Sequence, residues 1–181
     1  MKTKLLFLTA LFLSLTFSAQ QMKEYKFGEP FNISLPANYL KSYDLNDVAV
    51  AQFTNAASAK YFVIIMTEKE HLSSVKVAFS DMMEAGEYFG KNILDGLGDD
   101  EFAKISTLKT LTINNNPAVE FVVEGTIGDE QTKESTQLFY NATVVETPNA
   151  YYQLLSWSSL KDKEKNIEEF RKIAKTFKLA Q

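Results

Sequence analysis

Ala59 to Thr67 is the segment that most narrows what this chain can become. Its two alternating sets are both apolar: Tyr61, Val63 and Ile65 on one side, Phe62, Ile64 and Met66 on the other. A strand apolar on both sides belongs in the middle of a sheet that is covered on both faces. The flanking segments supply such a sheet. Val48 to Thr54 is a second strand, joined to the first through Asn55-Ala56-Ala57-Ser58. Phe31 to Leu35 alternates up to Pro36, which stops it. Leu108–Ile113, Ala118–Ile127, Thr136–Val145 and Ala150–Ser158 follow one another, divided by turn chemistry at Asn114-Asn115-Asn116-Pro117, Gly128-Asp129-Glu130 and Thr147-Pro148-Asn149. Short connections between consecutive strands predict an antiparallel meander.

Two amphipathic segments provide the covers. Met82, Gly86, Phe89, Ile93 and Leu97 recur at helical spacing, with Asp81, Glu84, Glu87, Lys91 and Asp95 elsewhere on the surface. This predicts the longest helix between about Ser74 and Leu97, with Ser73, Ser74 or Ser80 as its cap. Leu160 to Phe177 carries Ile167, Phe170, Ile173, Ala174 and Phe177 on one face, with Ser159 and Asp162 matching a capping box. The expected fold is α+β, a central antiparallel sheet of about six to seven strands flanked by helices on both faces.

The N-terminus reads as a secretory signal peptide over residues 1–19. Lys2 and Lys4 form a basic start, Leu5 to Leu15 is predominantly apolar, and small residues place cleavage after Ser18 or Ala19. The apolar run falls short of the ~20 residues a spanning helix needs. Removing the leader leaves residues 20–181 as one expected domain with 17 basic and 23 acidic residues, a net charge of −6. The expected location is periplasmic or secreted, with no transmembrane segment in the mature chain. An acidic balance argues against nucleic acid as partner. The absence of cysteine removes thiol nucleophiles, disulfides, Cys-ligated metals and a lipidated cysteine after the leader.

The order of elements and three short motifs resemble the PsbP family. Phe31-Asn32-Ile33-Ser34-Leu35-Pro36 with Tyr39 resembles that family's opening strand. Ile113-Asn114-Asn115-Asn116-Pro117-Ala118-Val119-Glu120-Phe121 resembles its central hairpin, and Ile173-Ala174-Lys175-Thr176-Phe177 its closing Ile-x-x-Ser/Thr-Phe. The resemblance implies a PsbP-like α/β/α sandwich and a binding or accessory role, since proteins similar to PsbP assist photosystem II and members of the same fold elsewhere bind a small GTPase. The matched positions are core and turn residues, so no functional residue carries over.

Catalytic motifs are missing from the sequence. It holds neither Gly-x-Ser-x-Gly, nor a phosphate-cradling Gly-x-x-x-x-Gly-Lys-Ser/Thr, nor Gly-x-Gly-x-x-Gly. His71, the one histidine, follows Glu68-Lys69-Glu70 and reads as a solvated loop residue. Asp95, Asp99, Asp100 and Glu101 gather hard oxygen ligands around Gly96 and Gly98; they are the candidate metal ligands, but too few for calcium's six to eight positions. Tyr151, Tyr152 and Trp157 are the candidate ligand or partner contacts, with core packing as the alternative for each. The expected function is that of an exported, non-catalytic binding or accessory protein of the bacterial envelope, working with an envelope protein partner and without a cofactor. The alternatives are a hydrolase acting on an ester or glycosidic bond, or a carrier of a small apolar ligand, which needs a cavity of ~300 Å³ or more.

Overall fold

The strand read as apolar on both sides is interior to a large sheet in the computed structural model of the protein, which describes residues 21–26, 30–97, 101–128 and 135–180. In chain order the first half comprises β1 (Met22–Lys26), β2 (Phe31–Pro36), β3 (Leu40–Lys41), β4 (Ala51–Asn55), β5 (Lys60–Glu68), α1 (Lys69–Ser74) and α2 (Met82–Gly96). The second half comprises β6 (Lys104–Ile105), β7 (Lys109–Ile113), β8 (Asn116–Gly128), β9 (Ser135–Glu146), β10 (Ala150–Ser159), α3 (Lys163–Lys175) and β11 (Lys178–Leu179).

The main sheet runs β3-β4-β5-β10-β9-β8-β6, with β7 also paired to β8, and all its pairs are antiparallel. The six longer segments predicted from periodicity are all in it; two-residue β3 and β6 bring it to eight strands. The opening strand β2 pairs elsewhere, between β1 and β11 in a separate three-stranded sheet.

Alternation along the strands sorts the core into two layers. Phe62, Ile64, Tyr152 and Leu154 face the second sheet and α3, where they meet Phe31, Ile33, Leu35, Ile173 and Phe177. Val63, Leu155, Val119, Phe121 and Val144 face the other way, against Met82, Ala85 and Phe89 of α2. The three motifs that resemble PsbP converge on the first layer: the rings of Phe31 and Phe177 lie 5.7 Å apart, and both contact Tyr152. The hydroxyl oxygen of Thr176, within the closing motif, accepts from the Ser34 N–H at 2.9 Å. The β7–β8 hairpin turns on Asn114 and Asn115, both at positive φ (46° and 69°), a conformation asparagine tolerates and a two-residue hairpin requires.

Both helix starts differ from the serine-based reading. α2 is capped by Asp81, whose carboxylate accepts from the N–H groups of Met83 (2.8 Å) and Glu84 (3.0 Å), while Glu84 accepts from the Ser80 N–H and hydroxyl. A carboxylate makes the stronger cap because it also answers the positive end of the helix dipole. At α3 the capping box does not form: a 3-10 turn over Leu160–Asp162 precedes the helix, and neither Ser159 nor Asp162 caps through its side chain. Lys163 instead anchors the helix start to Glu124 on β8.

Candidate functional site

At one end of the main sheet, β5 runs directly into α1. The Lys69 N–H donates to the Asn149 carbonyl (2.9 Å), which fixes α1 against the β9–β10 turn. Tyr151 and Glu146 are register partners across β10 and β9, so both project from the α2 face. The Lys69 ammonium lies 2.6 Å from Glu146 Oε1, the Tyr151 hydroxyl donates to the same oxygen at 3.3 Å, and Lys69 Nζ is 5.1 Å from the centre of the Tyr151 ring. These groups border a cavity of ≈220 Å³ whose apolar wall is Leu72, Val77, Ala78 and Phe79. The rings of Phe79 and Tyr151 meet nearly at right angles, 5.3 Å apart, and Phe89 backs both.

Burial, reinforced by the Glu146 carboxylate and its hydrogen bond, pushes the Tyr151 hydroxyl up to about 12. It is therefore a neutral donor at any physiological pH. Glu146 and Lys69 neutralise each other. The cluster combines donors, acceptors and ring faces in one concave place, which is the chemistry of recognition.

The other sequence candidates lie apart from this cluster. Tyr152 points to the opposite face and lines another cleft, of ≈710 Å³, with Met66, Ala150 and Leu179 inside it and Glu68, Glu70 and Lys69 along it, so that Lys69 borders both. Trp157 is six residues further along β10, roughly 20 Å away at strand rise, where it stacks on Tyr61 (5.1 Å) and leans on Tyr140 (5.7 Å). Asp95 ends α2 in an ion pair with Lys91 (2.7 Å). Glu101 is exposed in a turn, and Asp99 and Asp100 lie outside the described residues. No group of three His, Asp or Glu side chains placed to hold a metal occurs among the described residues. His71 is exposed, on α1 rather than in a loop.

Sequence reasoning missed Lys69, Glu146 and Phe79. Lys69 and Glu146 are 77 residues apart, one opening α1 and the other closing β9, so no local spacing marks them.

A second charged zone lies under α3. Lys60, buried at the start of β5, holds both oxygens of Glu169 (2.7 and 2.8 Å), and the buried Tyr39 hydroxyl donates to the same carboxylate at 3.0 Å. Glu124 pairs with Lys163 (2.6 Å) and Lys104 (2.9 Å), and Glu120 with Arg171 (2.9 Å). The contacts of Glu169, Lys163 and Arg171 clamp helix to sheet, while Lys104–Glu124 ties β6 to β8.

The layered arrangement, α2 on one face of the main sheet and the second sheet with α3 on the other, is a PsbP-like fold. The chain is similar to cyanobacterial PsbP (CyanoP) of Synechocystis sp. PCC 6803, whose solution structure it matches with a TM-score of 0.65 at 11% identity over 91% of this chain and 96% of that one. It is also similar to a crystal structure from Bacteroides thetaiotaomicron VPI-5482 (TM-score 0.50, 13% identity, 89% of this chain and 49% of that one). LpqN, involved in cell envelope biogenesis of Mycobacterium tuberculosis, aligns with a TM-score of 0.48 at 10% identity, over 89% of this chain and 91% of that one. Neither a family model nor a curated protein matches the sequence. At these identities the likeness is one of fold.

Proposed function

We propose that the protein is an exported, non-catalytic binding or accessory protein of the bacterial envelope, periplasmic or secreted, that engages its partner at the Tyr151 pocket. The observation that carries this reading is the Lys69–Glu146–Tyr151 cluster opening onto a cavity walled by Phe79. Its charged groups compensate one another and its phenol stays protonated, so the pocket offers contacts without a poised base or nucleophile. The leader over Met1 to Ala19 accounts for export. Among the described residues no helix is long and apolar enough to cross a membrane.

A photo-crosslinking residue at Ser73, exposed on the pocket rim, tests the reading against the same probe at Lys172, exposed on α3. In the native envelope fraction the expected result is a discrete adduct from position 73 and none from position 172. An adduct from α3 alone, or turnover in an esterase or glycosidase screen, would reverse the reading.

The ≈710 Å³ cleft beside Tyr152 favours a second reading, a carrier of a small apolar ligand, because Met66, Ala150, Tyr152 and Leu179 give it an apolar interior. Recovery of a lipid-like molecule from the purified protein by mass spectrometry, lost on Ala150→Trp, is the outcome that reading requires.

A further inference from the structure

We propose that the Tyr151 pocket takes a neutral saccharide unit, a ligand whose hydroxyls bridge Lys69 and Glu146 while its C–H face packs on Phe79. The proposal rests on the binding reading above and names the chemistry that the pocket selects.

The ion pair sets the ligand's charge. Lys69 and Glu146 are in direct contact at 2.6 Å and both are about two-thirds withdrawn from solvent. Because the pair is already charge-balanced, a cationic or anionic ligand would bring an uncompensated charge into a place largely withdrawn from solvent, which is costly. A hydroxyl group imposes no such exchange because it both donates and accepts. Glu146 keeps Oε2 and further lone pairs free, and Lys69 keeps two N–H donors beyond the one given to Glu146. Neighbouring hydroxyls on one ring can therefore donate to the carboxylate and accept from the ammonium while the pair stays closed. Hydrogen bonds to ionised groups are the stronger kind, which makes polar recognition of an uncharged ligand worthwhile here.

The walls set its shape. Half-buried Phe79 meets Tyr151 at an interplanar angle of 77° and forms a corner, which half-buried Val77 and exposed Ala78 continue with aliphatic surface. A ring with one C–H face and a rim of hydroxyls matches a corner that is apolar on its walls and ionic at one edge. A volume of ≈220 Å³ lies below the 300–1,000 Å³ typical of drug-sized ligands and suits a single sugar unit. Exposed Ser73 and Ala78 leave the pocket open, so a longer glycan can enter by one residue and continue outside.

The test is a titration of the isotope-labelled full mature chain, followed by backbone amide shifts. The neutral probes are cellobiose and N,N′-diacetylchitobiose; glucuronic acid and glucosamine are their charged counterparts. At least one neutral probe is expected to give saturable shifts confined to residues 69–79 and 146–151, with Kd near a millimolar and at least about tenfold tighter than either charged probe. Glu146→Gln is expected to weaken binding about tenfold. Because that change also opens the ion pair, Ser73→Trp serves as a second variant: it blocks the entrance from an exposed position, leaves Lys69 and Glu146 in contact, and should abolish the shifts. Absence of saturable shifts with both neutral probes at about 50 mM, equal affinity for a charged probe, or shifts that survive Ser73→Trp would overturn the proposal. Crosslinking from position 73 separates the two claims. An envelope adduct without a saccharide response discards the saccharide and keeps the binding reading, whereas failure of both discards both.

Discussion

α2 and α3 cover opposite faces of the same sheet by different means. α3 reaches its face through charge: Lys60–Glu169, Lys163–Glu124 and Arg171–Glu120 join helix to strand, and buried Asn166 donates to the Ser158 hydroxyl at 3.0 Å. α2 reaches its face through close approach. A Cβ on Gly86 would stand 2.6 Å from Leu108 Cδ2 and 2.9 Å from Val119 Cγ1, and one on Gly90 would collide with Ile105 Cδ1. The one ion pair that α2 makes among the described residues, Lys91–Asp95, lies within the helix. Glycine docking brings α2 down over β6 to β9 and leaves the far ends of β5 and β10 to α1 and the 75–80 segment. Where helix gives way to that shorter cover, the Tyr151 cavity opens. A tightly docked helix can thus create a binding place at its margin, whereas the ion-paired face devotes its polar groups to holding itself together.

The largest effect separating the two faces is expected at Lys60. Lys60→Met leaves the Glu169 carboxylate withdrawn from water without its cation, which costs about 2 to 4 kcal/mol in chemical denaturation. Adding Glu169→Gln should recover most of the loss, since the neutral amide needs no cation and its oxygen still accepts from the Tyr39 hydroxyl. If the double variant is as unstable as the single one, the clamp on α3 owes nothing to charge.

Gly86→Ala probes the other face, with a smaller effect. The substitution gains roughly 1 kcal/mol of helix propensity but forces a methyl group against Val119, which is buried and stiff at χ1. Overpacking of this kind costs about 1 to 3 kcal/mol, so a net loss near 1 kcal/mol is expected. A stabilised Gly86→Ala protein would show that α2 is not docked through its glycines.

Titration should distinguish the faces at opposite ends of the pH scale. On the α3 face, hydrogen bonding to Lys163 and, after it, Lys104 holds the Glu124 carboxyl below its ordinary value. Its contribution is present above the ordinary value of 4.5 and is lost as pH falls through the lowered one, so α3 amides should exchange first in acid. At the Tyr151 pocket the phenol is raised to about 12. That contribution is complete below the ordinary value of 10 and is lost as pH rises through about 12. Phenolate absorbance, taken as the difference from Tyr151→Phe, should therefore appear near 12 and move down in Glu146→Gln. Ionisation at the ordinary value in the unaltered protein would mean that the Tyr151 hydroxyl is neither buried nor held by Glu146.

How much of this was legible beforehand follows from how local each signal is. Val63, Ile64 and Phe62 announced a doubly covered strand because period-2 alternation is written in adjacent residues, and all three are buried. The long helix was legible for the same reason. β1, β3, β6 and β11 were not: each is short or largely exposed, so it lacks an alternating apolar set. His71 after Glu68-Lys69-Glu70 reads as a solvated loop residue because α1 buries only Leu72. Tyr151 and Tyr152 were equal candidates in sequence, because adjacent strand residues differ only in the face they take. That face is decided by pairing with Glu146 and Val145 on β9. The Lys60–Glu169 and Lys69–Glu146 contacts span 109 and 77 residues, and chain closure of that length leaves no trace in local spacing.

Differential hydrogen–deuterium exchange, with and without native envelope extract, addresses the placement of the binding site most directly. The account predicts protection confined to peptides spanning Lys69–Phe79 and Glu146–Tyr151, abolished by Ser73→Trp, with α3 and β8 unchanged. Protection over α3, or none at the Tyr151 pocket while another surface is protected, would contradict it.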